Sequence, residues 1–91
     1  MEIIREAVAG SLESSDVMVT VSPADDVQID LTSSVEQYYG DAIRSTMREI
    51  LKDLGVEHVR VEAVDHGALD CTIRARLTTA LKRASKEVAE P

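Results

Sequence analysis

The sequence predicts an α+β fold in which a four-stranded antiparallel sheet carries two helices on one face, in the order β-β-α-β-β-α. Two kinds of pattern predict it. Apolar residues alternate with polar ones over 17–21, 27–31 and 57–64, and they recur every three or four residues over 35–54. The 91 residues suit one small domain, 1–91, and the strand patterns exclude a helical bundle.

The first half of the chain predicts a hairpin followed by a helix. The alternating segments 17–21 and 27–31 are separated by a turn sequence and are expected to pair with each other. Ser33 and Glu36 then match a capping box at the start of the helix, and the same pattern repeats one residue later. The helix that follows is the strongest periodic signal in the chain.

The second half of the chain allows two interpretations. Apolar residues at 69, 71, 73, 75 and 77 keep a period of two, whereas those at 69, 73, 77, 80, 81 and 84 fit a helix. We favour a strand over 68–75 that passes into a helix over 77–88, because a hairpin-type turn at 65–67 precedes it. Cys71 would then point into the core.

The two ends of the chain show no sustained pattern. Residues 1–15 predict a mobile N-terminal loop, and residues from about 86 to 91 predict a frayed tail. The N-terminus lacks the basic start and apolar stretch of a signal peptide, and no apolar run reaches the roughly 20 residues of a membrane span. We therefore expect a cytoplasmic protein with no membrane partner.

Composition argues against a nucleic-acid partner. The net charge is −7, and the only aromatic residues are two tyrosines, so both phosphate contacts and base stacking are disfavoured. The charge is uneven: residues 1–43 carry nine acids and one base, whereas 44–91 carry eight acids and nine bases. The acidic half is either a solubilising surface or a face that steers docking onto a basic partner.

No group of residues predicts an active site or a metal site. His58 and His66 are the only histidines, and a surface position is the expected one for both. Cys71 has no cation in its local sequence that would lower the pKa of a nucleophilic thiol. A small metal-dependent or cysteine-dependent enzyme is the weaker hypothesis, and it would require turnover by the purified chain alone.

Three blocks of sequence resemble the acyl carrier protein of citrate lyase, its γ subunit. They are EAVAGSLESSDVMV at 6–19, SSVEQYYGDAIR at 33–44 and DHGALDCTIRARL at 65–77. They fall in the same order as in that family and together span nearly the whole chain. The Asp-Ser-Leu attachment motif of helical-bundle carriers is absent.

The resemblance implies a non-catalytic carrier with a covalent cofactor. Ser14 matches the family serine that holds 2′-(5″-phosphoribosyl)-3′-dephospho-CoA through a phosphodiester, and Ser15 is the alternative position. The implied partners are the α subunit, which exchanges acetyl for citryl, the β subunit, which cleaves the citryl thioester, and the transferase that attaches the arm. We expect Glu13 and Asp16 to aid recognition by that transferase.

Two alternatives share this sequence signal. One is an unmodified acidic adaptor or regulatory domain, for which Ser14→Ala would leave function intact. The other is the carrier of the malonate decarboxylase system, which uses a related arm and whose signature this chain resembles less.

Overall fold

A computed structural model describes residues 1–86, and in it four strands and two helices form an α+β fold. The predicted class, with a sheet and two helices rather than a helical bundle, is confirmed. The order of elements is β-β-β-α-β-α, which differs from the predicted one. The elements are β1 (Ala7–Gly10), β2 (Val17–Ser22), β3 (Val27–Ser33), α1 (Glu36–Asp53), β4 (Val59–Asp65) and α2 (Asp70–Ala84).

The sheet has the strand order β1-β2-β4-β3. Strand β2 runs antiparallel to both β1 and β4, whereas β3 runs parallel to β4. The prediction of a wholly antiparallel sheet is therefore wrong at one edge. Helix α1 explains the difference, because parallel neighbours need a long crossover connection and α1 connects β3 to β4.

The predicted hairpin between β2 and β3 does not form, although both strands exist. Strand β4 lies between them, so that Ala63 is paired with Val19 on one side and with Leu31 on the other. Val59 and Val61 are fully buried, which suits a central strand. A period of two identifies a strand but does not identify its partner.

Both helices contribute to one hydrophobic core with the buried face of the sheet. Helix α2 packs against β1 and β2, α1 contacts β3, and the two helices contact each other. Met47 of α1, Leu77 of α2 and Val19 of β2 are completely buried. Burying a side chain of this size contributes about 1.5–3 kcal/mol, so these positions hold the helices on the sheet.

The segment predicted as a strand over 68–75 belongs to helix α2, and the helical alternative is correct. Ile73, Leu77 and Leu81 face the core at helical spacing, whereas Cys71, expected to be buried, is exposed. The preceding turn is also not a hairpin turn. The buried carboxylate of Asp65 accepts hydrogen bonds from the backbone N–H groups of Gly67 and Ala68, at 3.1 and 3.0 Å. These bonds direct the chain into the helix.

The predicted capping box at Ser33 and Glu36 is also wrong. The hydroxyl of Ser33 accepts the N–H of Val35 at 3.1 Å and donates to the Asp65 carboxylate at 2.8 Å. Helix α1 has no side-chain N-cap hydrogen bond, and the Glu36 carboxylate pairs with Arg44 instead. Ser33 thus satisfies a buried acid, a demand that its local sequence does not show.

The segment 1–15, predicted as a mobile loop, contains regular backbone structure, and its mobility stays a prediction. Strand β1 occupies part of that segment, Ile3 pairs with Ser85 in an isolated bridge, and the N–H of Ile4 donates to the Ala84 carbonyl at 2.9 Å. The N–H of Lys86 donates to the Glu2 carbonyl at 3.1 Å, so that position is held in place. The rest of the predicted frayed tail, 87–91, lies outside the described residues.

Neither α1 nor α2 is long and apolar enough to cross a membrane, and these are the helices of the described chain.

Candidate functional site

A six-residue loop, residues 11–16, joins β1 to β2 and carries every site residue predicted from the sequence. We call it the serine loop. Ser14 and Ser15 are both exposed, as is Glu13. The Ser14 side chain forms no hydrogen bond or ion pair with any part of the described chain, residues 1–86. Its hydroxyl is therefore accessible to a modifying enzyme.

Backbone hydrogen bonds fix one end of the serine loop to the turn before α2. The N–H of Ser15 donates to the His66 carbonyl at 2.8 Å, and the N–H of His66 donates to the Asp16 carbonyl at 2.9 Å. These bonds extend the β2–β4 ladder beyond its last pair, Val17 with Asp65. Ser15 has a φ of 63°, a left-handed conformation that is uncommon for a residue other than glycine.

The side chain of Asp16 anchors the loop from within. Arg76 of α2 donates from Nε to Oδ1 at 3.0 Å and from Nη2 to Oδ2 at 3.1 Å. Ser11 donates its hydroxyl to the same carboxylate at 2.6 Å, and the N–H of Val17 donates at 2.7 Å. Only 14% of the Asp16 side chain is exposed. The Arg76 guanidinium, the Ser11 hydroxyl and the Val17 amide together hold the pKa of this carboxyl well below its usual range.

Gly10 allows the chain to enter the serine loop. Its φ is +93°, a conformation that side chains rarely adopt. A Cβ at this position would overlap the carbonyl oxygen of Val17 and lie 3.2 Å from Cδ of Arg76. The close approach of β1 to β2, and the packing of Arg76 over both, therefore require glycine here.

A groove lies on the other side of the turn that the serine loop contacts. Its volume is about 420 Å³, and we call it the tyrosine groove. One wall is formed by α1, including Tyr39, whose ring is largely exposed. The other wall comprises Gly67, Leu69 and Ile73, from the turn before α2 and from α2 itself.

The two acids proposed for recognition, Glu13 and Asp16, have different surroundings in the structure. The Glu13 side chain is exposed, whereas the Asp16 carboxylate is occupied by Arg76, Ser11 and Val17. Glu13 thus keeps a solvent-facing charge, and Asp16 has a structural role in the loop. Their part in recognition stays a prediction.

The histidines and the cysteine lie apart from one another. Nδ1 of His58 forms a hydrogen bond with the Asp25 carbonyl oxygen at 2.8 Å. His66 is exposed in the turn before α2, and Cys71 is exposed on α2. Across residues 1–86 there is no group of three or more histidine, cysteine, aspartate or glutamate side chains arranged to hold a metal ion.

Comparison with known proteins connects this geometry to a family. Residues 4–84 match the family described as ACP, malonate decarboxylase delta subunit (MdcD). The citrate lyase acyl carrier protein of Streptococcus uberis is 59% identical to this chain, over 93% of the chain and 85% of the relative. The one from Yersinia enterocolitica is 53% identical, over 100% and 96%. The chain belongs to the citrate lyase acyl carrier protein family.

As a member of the citrate lyase acyl carrier protein family, the chain is an acyl carrier and not an enzyme. The fold is also seen in a solved structure, a Pseudomonas malonate decarboxylase hetero-tetramer in complex with malonate. That chain aligns with a TM-score of 0.74 at 19% identity, over 89% of this chain and 84% of its own length. At that identity the likeness concerns the fold alone.

Sequence reasoning missed two parts of this carrier's site. An extended strand would place Arg74 and Arg76 on the same face, but on helix α2 the two diverge: Arg74 pairs with Asp70 and Glu49, and Arg76 reaches Asp16. The spacing of Asp70 and Arg74 by four residues was a helical signal. The tyrosine groove lies between α1 and the start of α2, which are far apart in sequence, so no local pattern predicts it.

Proposed function

We propose that this chain is the acyl carrier subunit of a citrate lyase, with 2′-(5″-phosphoribosyl)-3′-dephospho-CoA attached to Ser14 through a phosphodiester. The observation that carries the proposal is the exposed, unbonded Ser14 hydroxyl on a loop with anchored ends, in a chain 53–59% identical to citrate lyase acyl carrier proteins. Such a hydroxyl fits a phosphodiester linkage. Ser15 is the second candidate, but its own backbone is held by His66.

The chain itself supplies attachment and delivery. A serine hydroxyl is a weak nucleophile without a base that hydrogen-bonds to it, and no side chain of residues 1–86 does so at Ser14, so we assign formation of the bond to a separate transferase. When bound, the arm supplies a terminal thiol that carries acetyl or citryl as a thioester. The α subunit exchanges the acyl group and the β subunit releases oxaloacetate. Tethering raises the concentration of the thioester at each of these partner sites.

Hydrogen bonds at the base of the serine loop give the arm a fixed point of attachment. The arm moves, but its origin stays fixed because Asp16 and Ser15 are bonded to α2 and to the turn before it.

The single cysteine, Cys71, is exposed and unpaired with another thiol in the chain, which suits a reducing compartment such as the cytoplasm.

Intact-mass analysis tests the proposal. The chain is produced with the arm-attaching transferase and its donor, as wild type, as Ser14→Ala and as the matched control Ser15→Ala. We expect the added mass of the arm in the wild type and in Ser15→Ala, and none in Ser14→Ala. Loss of the arm only in Ser15→Ala would move the site to Ser15. A wild-type chain that stays unmodified would refute the carrier mechanism and favour the adaptor.

A malonate decarboxylase carrier is the second candidate, because the matching family description and the shared fold both point to that system. The loaded chain distinguishes the two. Citrate lyase α and β subunits should turn over citrate only with the loaded carrier, and malonate decarboxylase subunits should not accept it.

A further inference from the structure

The tyrosine groove is directly connected to the serine loop. The N–H of Ser15 bonds to the His66 carbonyl at 2.8 Å, and the next residue, Gly67, already lines the groove. Given standard bond lengths, the backbone nitrogens of Ser15 and Gly67 lie within about 5 Å of each other. A group attached to the serine loop is therefore close to the tyrosine groove, whereas the cavities lined by Met1 and Ile3 and by Val27 and Leu51 include no residue of the loop or of the turn before α2.

The chemistry of the groove selects a flat, uncharged occupant. Its lining is mainly apolar, and Tyr39 at its wall is 59% exposed. Arg74, which follows the lining residue Ile73 on α2, is paired with Asp70 at 2.7 Å and with Glu49 at 3.3 Å. Asp70 itself lines the groove and would repel a phosphate. A diphosphate is thus disfavoured, whereas an aromatic base would gain stacking on Tyr39.

We propose that the tyrosine groove binds the adenine base of the covalent arm, stacked on Tyr39. This inference rests on the proposed function. The adenine is the one neutral, planar, aromatic part of the arm, and only a phosphodiester and two ribose rings separate it from the serine. Binding it would hold the root of the arm against the protein, so that the diphosphate and the thiol-bearing end alone reach into a partner.

Tyrosine fluorescence tests the proposal directly, because the chain has two tyrosines and no tryptophan or phenylalanine. Tyr39 lines the groove, and its neighbour Tyr38, which is 78% exposed, does not. The bare and loaded forms are compared in the wild type, in Tyr39→Leu and in the matched control Tyr38→Leu, after intact mass has confirmed loading. Leucine keeps the wall apolar and removes only the stacking ring.

We expect loading to quench roughly half of the wild-type emission, because a base stacks on one of two rings. Quenching should be nearly complete in Tyr38→Leu and absent in Tyr39→Leu. Backbone amide NMR shifts of Gly67 and Ile73 should change on loading in the wild type.

Four outcomes would overturn the proposal. Equal quenching in both variants would indicate random collision of the base with the surface. Loaded chain with unchanged emission, but with shifted Gly67 and Ile73 signals, would place the aliphatic end of the arm in the groove. Loaded chain with neither change would leave the proposed function standing and refute the groove alone. A chain that acquires no arm on its serine would refute both.

Discussion

Replacing Gly10 with alanine tests whether the serine loop depends on the close approach of β1 to β2. Gly10 and Gly67 both have positive φ, +93° and +82°, so alanine at either position carries a backbone strain of about 1–3 kcal/mol. Only at Gly10 would the new Cβ also overlap a neighbour, the Val17 carbonyl, whereas nothing lies within 4 Å at Gly67. Overpacking of this kind adds about 1–3 kcal/mol.

We therefore expect Gly10→Ala to lower the free energy of unfolding by about 2–6 kcal/mol, and the control Gly67→Ala, which carries the strain alone, by about 1–3 kcal/mol. A 91-residue domain has roughly 5–14 kcal/mol in total, so Gly10→Ala removes a large share of its stability, whereas Gly67→Ala should stay folded. The difference of about 2 kcal/mol corresponds to a Tm gap of about 8–16 °C.

Urea unfolding followed by far-ultraviolet circular dichroism measures both variants, with the slope m confirming a common unfolded state. If the two variants lose the same stability, the overlap with Val17 is not a real constraint. If Gly10→Ala is neutral, the left-handed conformation itself is wrong.

Three further predictions concern the residues around the loop. The pKa of Asp16 is lower in the folded protein than its ordinary value of 3.8, so the Asp16–Arg76 contact should stabilise the fold fully above pH 3.8 and lose its effect as the pH falls below that value. Urea midpoints measured against pH should therefore drop less steeply in Arg76→Met than in the wild type. Asp65→Ala should cost about 3 kcal/mol, because it leaves the half-buried Ser33 hydroxyl and two backbone amides without their acceptor. The urea midpoint reports the loss, and a loss under about 1 kcal/mol would contradict the role of the buried carboxylate. Cys71 should react with a thiol reagent in the folded protein as fast as in urea. A slower reaction of the folded protein would instead favour the predicted strand, in which Cys71 faces the core.

The pH prediction needs one control. The pKa of Asp70 is also lowered, by hydrogen bonds from Arg74 and Thr46, so this carboxyl contributes to the loss of stability in acid as well. Arg74→Met should flatten the pH dependence in its own right, and its effect should add to that of Arg76→Met because the two pairs share no residue. An Arg76→Met profile that matches the wild type at every pH would show that the Asp16 contact contributes nothing.

Local periodicity predicted where strands and helices occur and failed where pairing depends on distant residues. The strands at 17–22 and 27–33 and the helix at 36–53 follow from the apolar period alone. The insertion of β4 between β2 and β3 does not, because backbone pairing leaves no mark on side-chain alternation. The segment from 69 to 77 satisfied both periods, and it forms a helix because three further apolar positions, 80, 81 and 84, face the core only at helical spacing.

Predictions for the serine loop followed a similar division. The sequence placed Ser14 and Ser15 in an exposed loop through resemblance and turn-forming residues, and the structure agrees on their exposure. It did not show that Arg76, 60 positions away from Asp16, would hold that loop. A charge in a loop is ambiguous until its partner is known, because the same carboxylate serves recognition when it faces solvent and positioning when it faces a guanidinium.

That ambiguity makes Glu13 and Asp16 separable by experiment. Glu13→Gln removes a solvent-facing charge, so it should slow arm attachment by the transferase and leave the urea midpoint unchanged. Asp16→Asn weakens the contacts with Arg76 and Ser11, so it should lower the urea midpoint, and its effect on attachment should arise from a displaced Ser14. Attachment rates at low and high salt divide the two roles further, because steering by Glu13 is screened and positioning by Asp16 is much less so. Normal attachment in the double variant would show that neither acid contributes, and an Asp16→Asn chain with wild-type stability would remove the structural role argued for it here.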